Sequence, residues 1–170
     1  MTEDTSDRAL KGWHPGEAAV QDIIHLPARV PITAVVNRLP EQHRLFHTTR
    51  LHFLPITTLD NQGRPWASVL TPTSGDAPFI SSSDDTHLQI KARVWDGDPA
   101  VRNLVNWGSA KDKVLISALG IEVSTRRRNK FAGYVESAEV KDNSVLLNIA
   151  VNEALGCAIF FAVLQAHLDC

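Results

Sequence analysis

Between His87 and Val94 apolar and polar residues alternate without a break. Leu88, Ile90, Ala92 and Val94 fall on one face, His87, Gln89, Lys91 and Arg93 on the other. A period of two sustained over this length predicts a half-buried β-strand. The stretch from Leu51 to Thr71 predicts two more strands. In its first half Leu51, Phe53 and Thr57 alternate with His52, Leu54 and Ile56, so both faces carry apolar weight. Asp60-Asn61-Gln62-Gly63 supplies turn chemistry, with Gly63 free to take positive φ. Pro65 can only open the second strand, because it has no amide hydrogen to give to a ladder. Trp66, Ser68 and Leu70 then share one face, and Ala67 and Val69 share the other.

Other periodicities fill in the chain. Gly16 to His25 carries Val20, Ile23 and Ile24 at helical spacing. Pro40 to Thr49 reads as a second helix, with Leu45 and Phe46 facing inward. Asp98 as N-cap and Pro99 at the first position start a third, which carries Val101, Leu104 and Val105. Pro78 to Ser82 is a short strand and Lys113 to Val123 a long one, with a bulge or bend expected at Gly120. Phe131 to Lys141 and Ser144 to Val151 form a hairpin about Asp142-Asn143. Six or seven strands with three short helices predict an antiparallel barrel against which the helices pack. No strand leads through Gly-x-Gly-x-x-Gly into a helix, and Gly-x-x-x-x-Gly-Lys does not occur, which disfavours doubly wound and phosphate-loop nucleotide folds.

Composition narrows the classes. With 170 residues, 44% hydrophobic and 21% charged, the chain fits one globular domain that buries a core without staples. A net charge of −2 argues against a general binder of nucleic acid or anionic membrane. Met1 to Gly12 is polar and acidic, without a signal sequence, and is expected to be disordered. Cys157 and Cys170 are the only cysteines, so a reducing compartment, the cytoplasm, is the expectation. Ala154 to Leu164 is a run of eleven nearly uninterrupted apolar residues, too short to cross a bilayer, which needs about 20. His43 and His47 lie one helical turn apart, the spacing of a metal pair, but no adjacent Glu motif or third ligand accompanies them. They read as an ordinary surface or half-buried pair.

Candidate chemistry is confined to a few places. Arg126-Arg127-Arg128 and Lys130 put four positive charges within five positions of a mildly acidic chain. On a strand alternate side chains point to opposite faces, so at most two of the three arginines converge on one ligand. Arginine grips phosphate oxygens with paired bonds, which makes this run a candidate phosphate site; a solvated basic turn is the alternative. Ser68 and Thr71 carry hydroxyls that suit a ligand's phosphate, and Ser81, Ser82 and Ser83 suit a phosphate or a polyol, against the plainer reading of polar loop and surface positions. No Ser-His-Asp or Cys-His arrangement suggests a protein nucleophile.

Three stretches in order carry a resemblance. Asp60-x-x-Gly63-Arg64-Pro65-Trp66-Ala67-Ser68 resembles the first hairpin of the pyridoxamine 5′-phosphate oxidase-like, flavin-binding split barrels. Thr125-Arg126-Arg127-Arg128 within Gly120–Lys130 resembles one branch of that superfamily, as does Trp13-His14-Pro15-Gly16-Glu17 with Gln21. The resemblance implies an antiparallel six- or seven-stranded split β-barrel of Greek-key type over residues 13–156. It implies FMN as cofactor, held at a homodimer interface, and oxidoreductase activity on a small-molecule substrate or electron donor. The implied flavin contacts fall on Trp66, Ala67, Ser68, Ser81, Ser82, Arg126, Arg127 and Arg128. A flavin enzyme needs no protein nucleophile, because the cofactor carries the hydride. Two other classes compete: a flavin-binding protein without turnover, and a nucleic-acid or acidic-partner binder using the arginine run. Net charge and the lack of interleaved aromatics disfavour the last. The match ends at Gly156, and residues 157–170 form a divergent apolar tail.

Overall fold

The structure is a computed structural model and describes residues 15–25, 35–75, 78–105 and 114–156. The expected disordered amino terminus, the Trp13-His14 part of the Trp13–Gln21 stretch and the tail from Cys157 lie outside these residues.

Two short helices, α1 (Pro15–Ile23) and α2 (Glu41–Thr49), precede the sheet. The expected first hairpin is β1 (Leu54–Leu59) and β2 (Pro65–Pro72), paired antiparallel from Leu54↔Leu70 to Leu59↔Pro65. Asp60 builds its turn: the Oδ1 atom accepts from the Gln62 and Arg64 amides, both at 2.9 Å, and Gly63 takes φ +75°. Then come β3 (Ile80–Ser81), β4 (His87–Arg93), α3 (Pro99–Val105), β5 (Leu115–Glu122), β6 (Arg127–Lys141) and β7 (Ser144–Gly156).

The strands run in the order β2-β1-β5-β6-β7-β4-β3, all antiparallel, and β4 returns to β2. That return rests on two residue pairs alone, Thr71↔Arg93 and Pro72↔Ala92, so the ring is nearly but weakly closed, a split barrel with β3 appended to β4. The neighbours β1–β5 and β4–β7 are not consecutive in the chain, which gives the Greek-key connection.

The strand periodicities place the core. Leu54, Ile56, Leu70, Leu88, Ile90, Ala92, Ile116, Phe131, Val135, Leu147 and Ile149 are buried inside the ring. α3 is fixed to the hairpin by polar bonds. Asp98 Oδ1 accepts from the Ala100 amide at 2.8 Å, the expected cap, and from Ser68 Oγ at 2.5 Å. Asn103 Nδ2 donates to the buried Thr58 Oγ1 at 2.9 Å.

Three expectations change. His47, read as part of a surface or half-buried pair, is fully buried. Leu45 is half exposed, because α2 turns Phe46 and His47 to the barrel instead. At Gly120 there is no bulge: β5 and β6 pair in unbroken register from Leu115↔Tyr134 to Glu122↔Arg127. Glycine is needed there for room, since a Cβ would lie 2.8 Å from Phe46 Cε1. The irregularities fall in the β6–β7 pair, between Ala132 and Gly133 and between Val135 and Ser137. Among the described residues no helix is long and apolar enough to cross a membrane.

Candidate functional site

Cross-strand register assembles a cleft on the outer face of the sheet. One row of partners runs Ala67–Thr57–Ser117–Ala132–Glu153 across β2, β1, β5, β6 and β7. The next begins at the pair Val69–Pro55 and ends in Leu119–Lys130–Leu155 on β5, β6 and β7. The small side chains of the first row form a low floor, and the larger ones of the second rise beside it. Together they line most of a cleft of about 400 Å³, open to solvent. Four inter-strand steps of about 4.8 Å give the floor its length.

Charge is sparse in this cleft. Among the described residues Lys130 and Glu153 are its only charged lining residues. Alternation puts Arg128 on the same face of β6 as Lys130, while Arg127, Asn129 and Phe131 face α2. Neither Arg128 nor Lys130 makes an ion pair among the described residues. Arg127 lies with its guanidinium carbon 5.2 Å from the centre of the Phe46 ring, a cation–π contact. Arg126 sits in the β5–β6 turn with φ +60°. The basic run is therefore divided: one arginine in the turn, one stacked on a helix, one beside Lys130 on the cleft side.

The other sequence-derived candidates are spread over separate places. Ala67 lines the cleft floor. Ser68 is buried on the inner face, with its hydroxyl committed to Asp98. Trp66 is partly exposed at the hairpin turn, and its Nε1 donates to Asp60 Oδ2 at 3.0 Å. The Trp66 bond, with those from Arg64 and Gln62, holds the Asp60 carboxyl well below the usual carboxylate range.

Ser81 and Ser82 line a different hollow of about 420 Å³ with Ser83, His87, Gln89, Glu136 and Asn148, and none of the described residues lines both. In it Ser82 Oγ donates to the Asp84 carbonyl at 2.5 Å. His87 Nδ1 lies 2.8 Å from Asp84 Oδ1, and its Nε2 is 3.7 Å from Glu136 Oε1. The hydrogen bond to Asp84, aided by the charges of Asp84 and Glu136, raises the pKa of His87. Thus Ala67, Arg128 and Lys130 share one face of the barrel, while Ser81 and Ser82 belong elsewhere. Thr57, Ser117, Ala132 and Glu153 were not signalled by the sequence; only the pairing of distant strands makes a row of them.

No protein-family model and no curated protein matches this sequence. Solved structures do. The chain is similar to a Lactobacillus delbrueckii protein provisionally named a pyridoxamine 5′-phosphate oxidase, with 14% identity and a TM-score of 0.49, over 70% of this chain and 94% of that one. An FMN-binding protein from Syntrophomonas wolfei matches over 83% of this chain and 95% of its own, at 10% identity and a TM-score of 0.48. HutZ, the heme storage protein of Vibrio cholerae, matches over 70% and 95%, at 16% identity and a TM-score of 0.43. These are distant structural matches, and the ring of strands stands on its own pairings.

Proposed function

We propose that the protein binds FMN in the outer cleft and is a flavin-dependent oxidoreductase, acting as a homodimer whose partner covers the open side of that cleft. The observation that carries the reading is the pair of cations on the cleft face of β6, Arg128 and Lys130, without a counter-ion among the described residues. Lys130 lines the cleft beside a floor made of Ala67, Thr57, Ser117 and Ala132, and Arg128 lies two residues along the same face of β6. A phosphate supplies the missing anion, and each charge-assisted bond to it contributes roughly 1.5–3 kcal/mol net. A flat aromatic ring system suits a floor of small side chains between apolar walls, as ligand sites in general pair apolar lining with a few placed polar groups. The sequence resemblance of the first hairpin and of the Thr125–Arg128 stretch points the same way.

In this reading Arg128 and Lys130 hold the phosphate and fix the ligand's orientation. Pro55, Leu119 and Leu155 exclude water from the ring, and Glu153 offers a carboxylate acceptor at the far end of the floor. When bound, the flavin supplies hydride transfer. Exposed Val69 and Leu115 on the outer face give a second copy apolar surface to cover.

The visible absorption spectrum of the purified protein tests the reading, followed by titration with FMN monitored by quenching of flavin fluorescence. A yellow protein, or saturable quenching, is the expected result. Steady-state reduction by NADH or NADPH with an acceptor then separates an oxidoreductase from a flavin binder without turnover. Colourless protein that leaves FMN fluorescence unchanged would remove the proposal.

A further inference from the structure

On the opposite side of β6 from the cleft, α2 lays two histidines on two glycines. Gly120, Asn129 and Gly156 are register partners across β5, β6 and β7. A Cβ on Gly156 would lie 2.1 Å from His43 Nε2, and one on Gly120 would lie 2.9 Å from His47 Cε1. His47 is 1% exposed and stands edge-on between Phe46 and Phe131, with ring centres 5.4 and 5.1 Å away. Among the described residues both of its nitrogens are buried without a hydrogen-bond partner, as are His43 Nδ1 and Asn129 Nδ2. A neutral imidazole already leaves one donor and one acceptor unmet there; an imidazolium adds a full charge with nothing to receive it.

The charged groups around the pair do not help. Arg127 on β6 is a second cation, close enough to disfavour protonation of His43. Glu122 on β5 is the register partner of Arg127. It is engaged by Thr125 Oγ1 and lies 3.9 Å from Arg50 Nη1 at the end of α2.

We infer that α2 is an acid-released latch: it docks only with His43 and His47 neutral, and taking up protons frees it from the wall formed by Gly120, Asn129 and Phe131. Burial, and then the neighbouring His43, push the His47 pKa down to about 3 in the docked state, and burial with Arg127 lowers that of His43. In the released helix both rings titrate near their ordinary value of about 6.5. The released state therefore binds more protons. Docking is at full strength above about pH 6.5 and weakens as pH falls, by up to tenfold per pH unit for each histidine held neutral. Release also separates Arg127 from the Phe46 ring.

Hydrogen exchange tests the latch, corrected for the intrinsic rate and followed from about pH 7.5 to about pH 5. The α2 amides are expected to lose protection by up to a hundredfold per pH unit, more steeply than the amides of β6 and β7. His47→Phe keeps the aromatic contacts and should reduce the α2 slope to at most tenfold per unit. If that variant does not fold, His43→Gln, at the less buried position, is expected to give the same reduced slope. A slope in α2 equal to that of β6 and β7, or a full wild-type slope in the variant that folds, overturns the inference.

Discussion

His47 covers Gly120 so closely that a methyl group on the glycine would lie 2.9 Å from His47 Cε1 and 2.8 Å from Phe46 Cε1. Gly120 has no left-handed backbone requirement, so the missing side chain serves packing alone. Gly120→Ala forces two buried rings to move and is expected to cost about 1–3 kcal/mol, the range for overpacking a core. Urea denaturation measures it, and a variant as stable as the parent would show that α2 yields without cost.

The link between the hairpin and α3 gives a second expectation. Ser68 Oγ donates to the Asp98 carboxylate that also caps α3. Ser68→Ala is expected to cost roughly 1–2 kcal/mol of stability, as for a part-buried bond to a charged acceptor. Because that hydroxyl is spent on Asp98, FMN affinity should change by less than about threefold, under 1 kcal/mol. A large loss of affinity without a loss of stability would make Ser68 a cofactor contact.

The division of the arginine run predicts unequal effects of equal substitutions. Arg128→Ala and Lys130→Ala should each weaken FMN binding by about tenfold, the loss of one charge-assisted bond. Arg127→Ala should leave affinity nearly unchanged and lower stability through its contact with Phe46. Fluorescence quenching and thermal melts on the three variants separate these outcomes. Equal loss of affinity in all three would mean that the run acts only as a diffuse positive charge.

Acid should loosen the first hairpin. Hydrogen bonds from Trp66, Arg64 and Gln62 lower the pKa of Asp60 in the fold below its unfolded value, so the unfolded chain binds the proton more tightly. The sign follows: the stabilisation is complete above the ordinary carboxylate range and is lost as pH falls below it. Trp66 reports on this directly, because its indole donates to Asp60. Its fluorescence in wild type should change below about pH 4, and Asp60→Asn should remove that transition. Persistence of the same transition in the variant would assign it to another group.

The first hairpin, the half-buried β4 and the Asp98 cap were legible in the sequence because each depends on neighbours within one turn or one strand. Alternation at Leu88, Ile90, Ala92 and Val94 states which side is buried, whatever lies there. Asp60 and Gly63 determine their turn from within. The alternation rule also settled that the three arginines could not converge, and Arg127 and Arg128 do face opposite ways. The cleft was not legible. Ala67, Thr57, Ser117, Ala132 and Glu153 are far apart in the chain and unremarkable singly; register between β2, β1, β5, β6 and β7 alone makes them a floor. Tertiary structure likewise decided that Gly120 is a seat for a histidine and that His47 is buried without a hydrogen-bond partner among the described residues. Local sequence determines conformation and the direction of side chains along one element. The identity of what stands opposite is a property of strand pairing at long range, and no short stretch of this chain contains it.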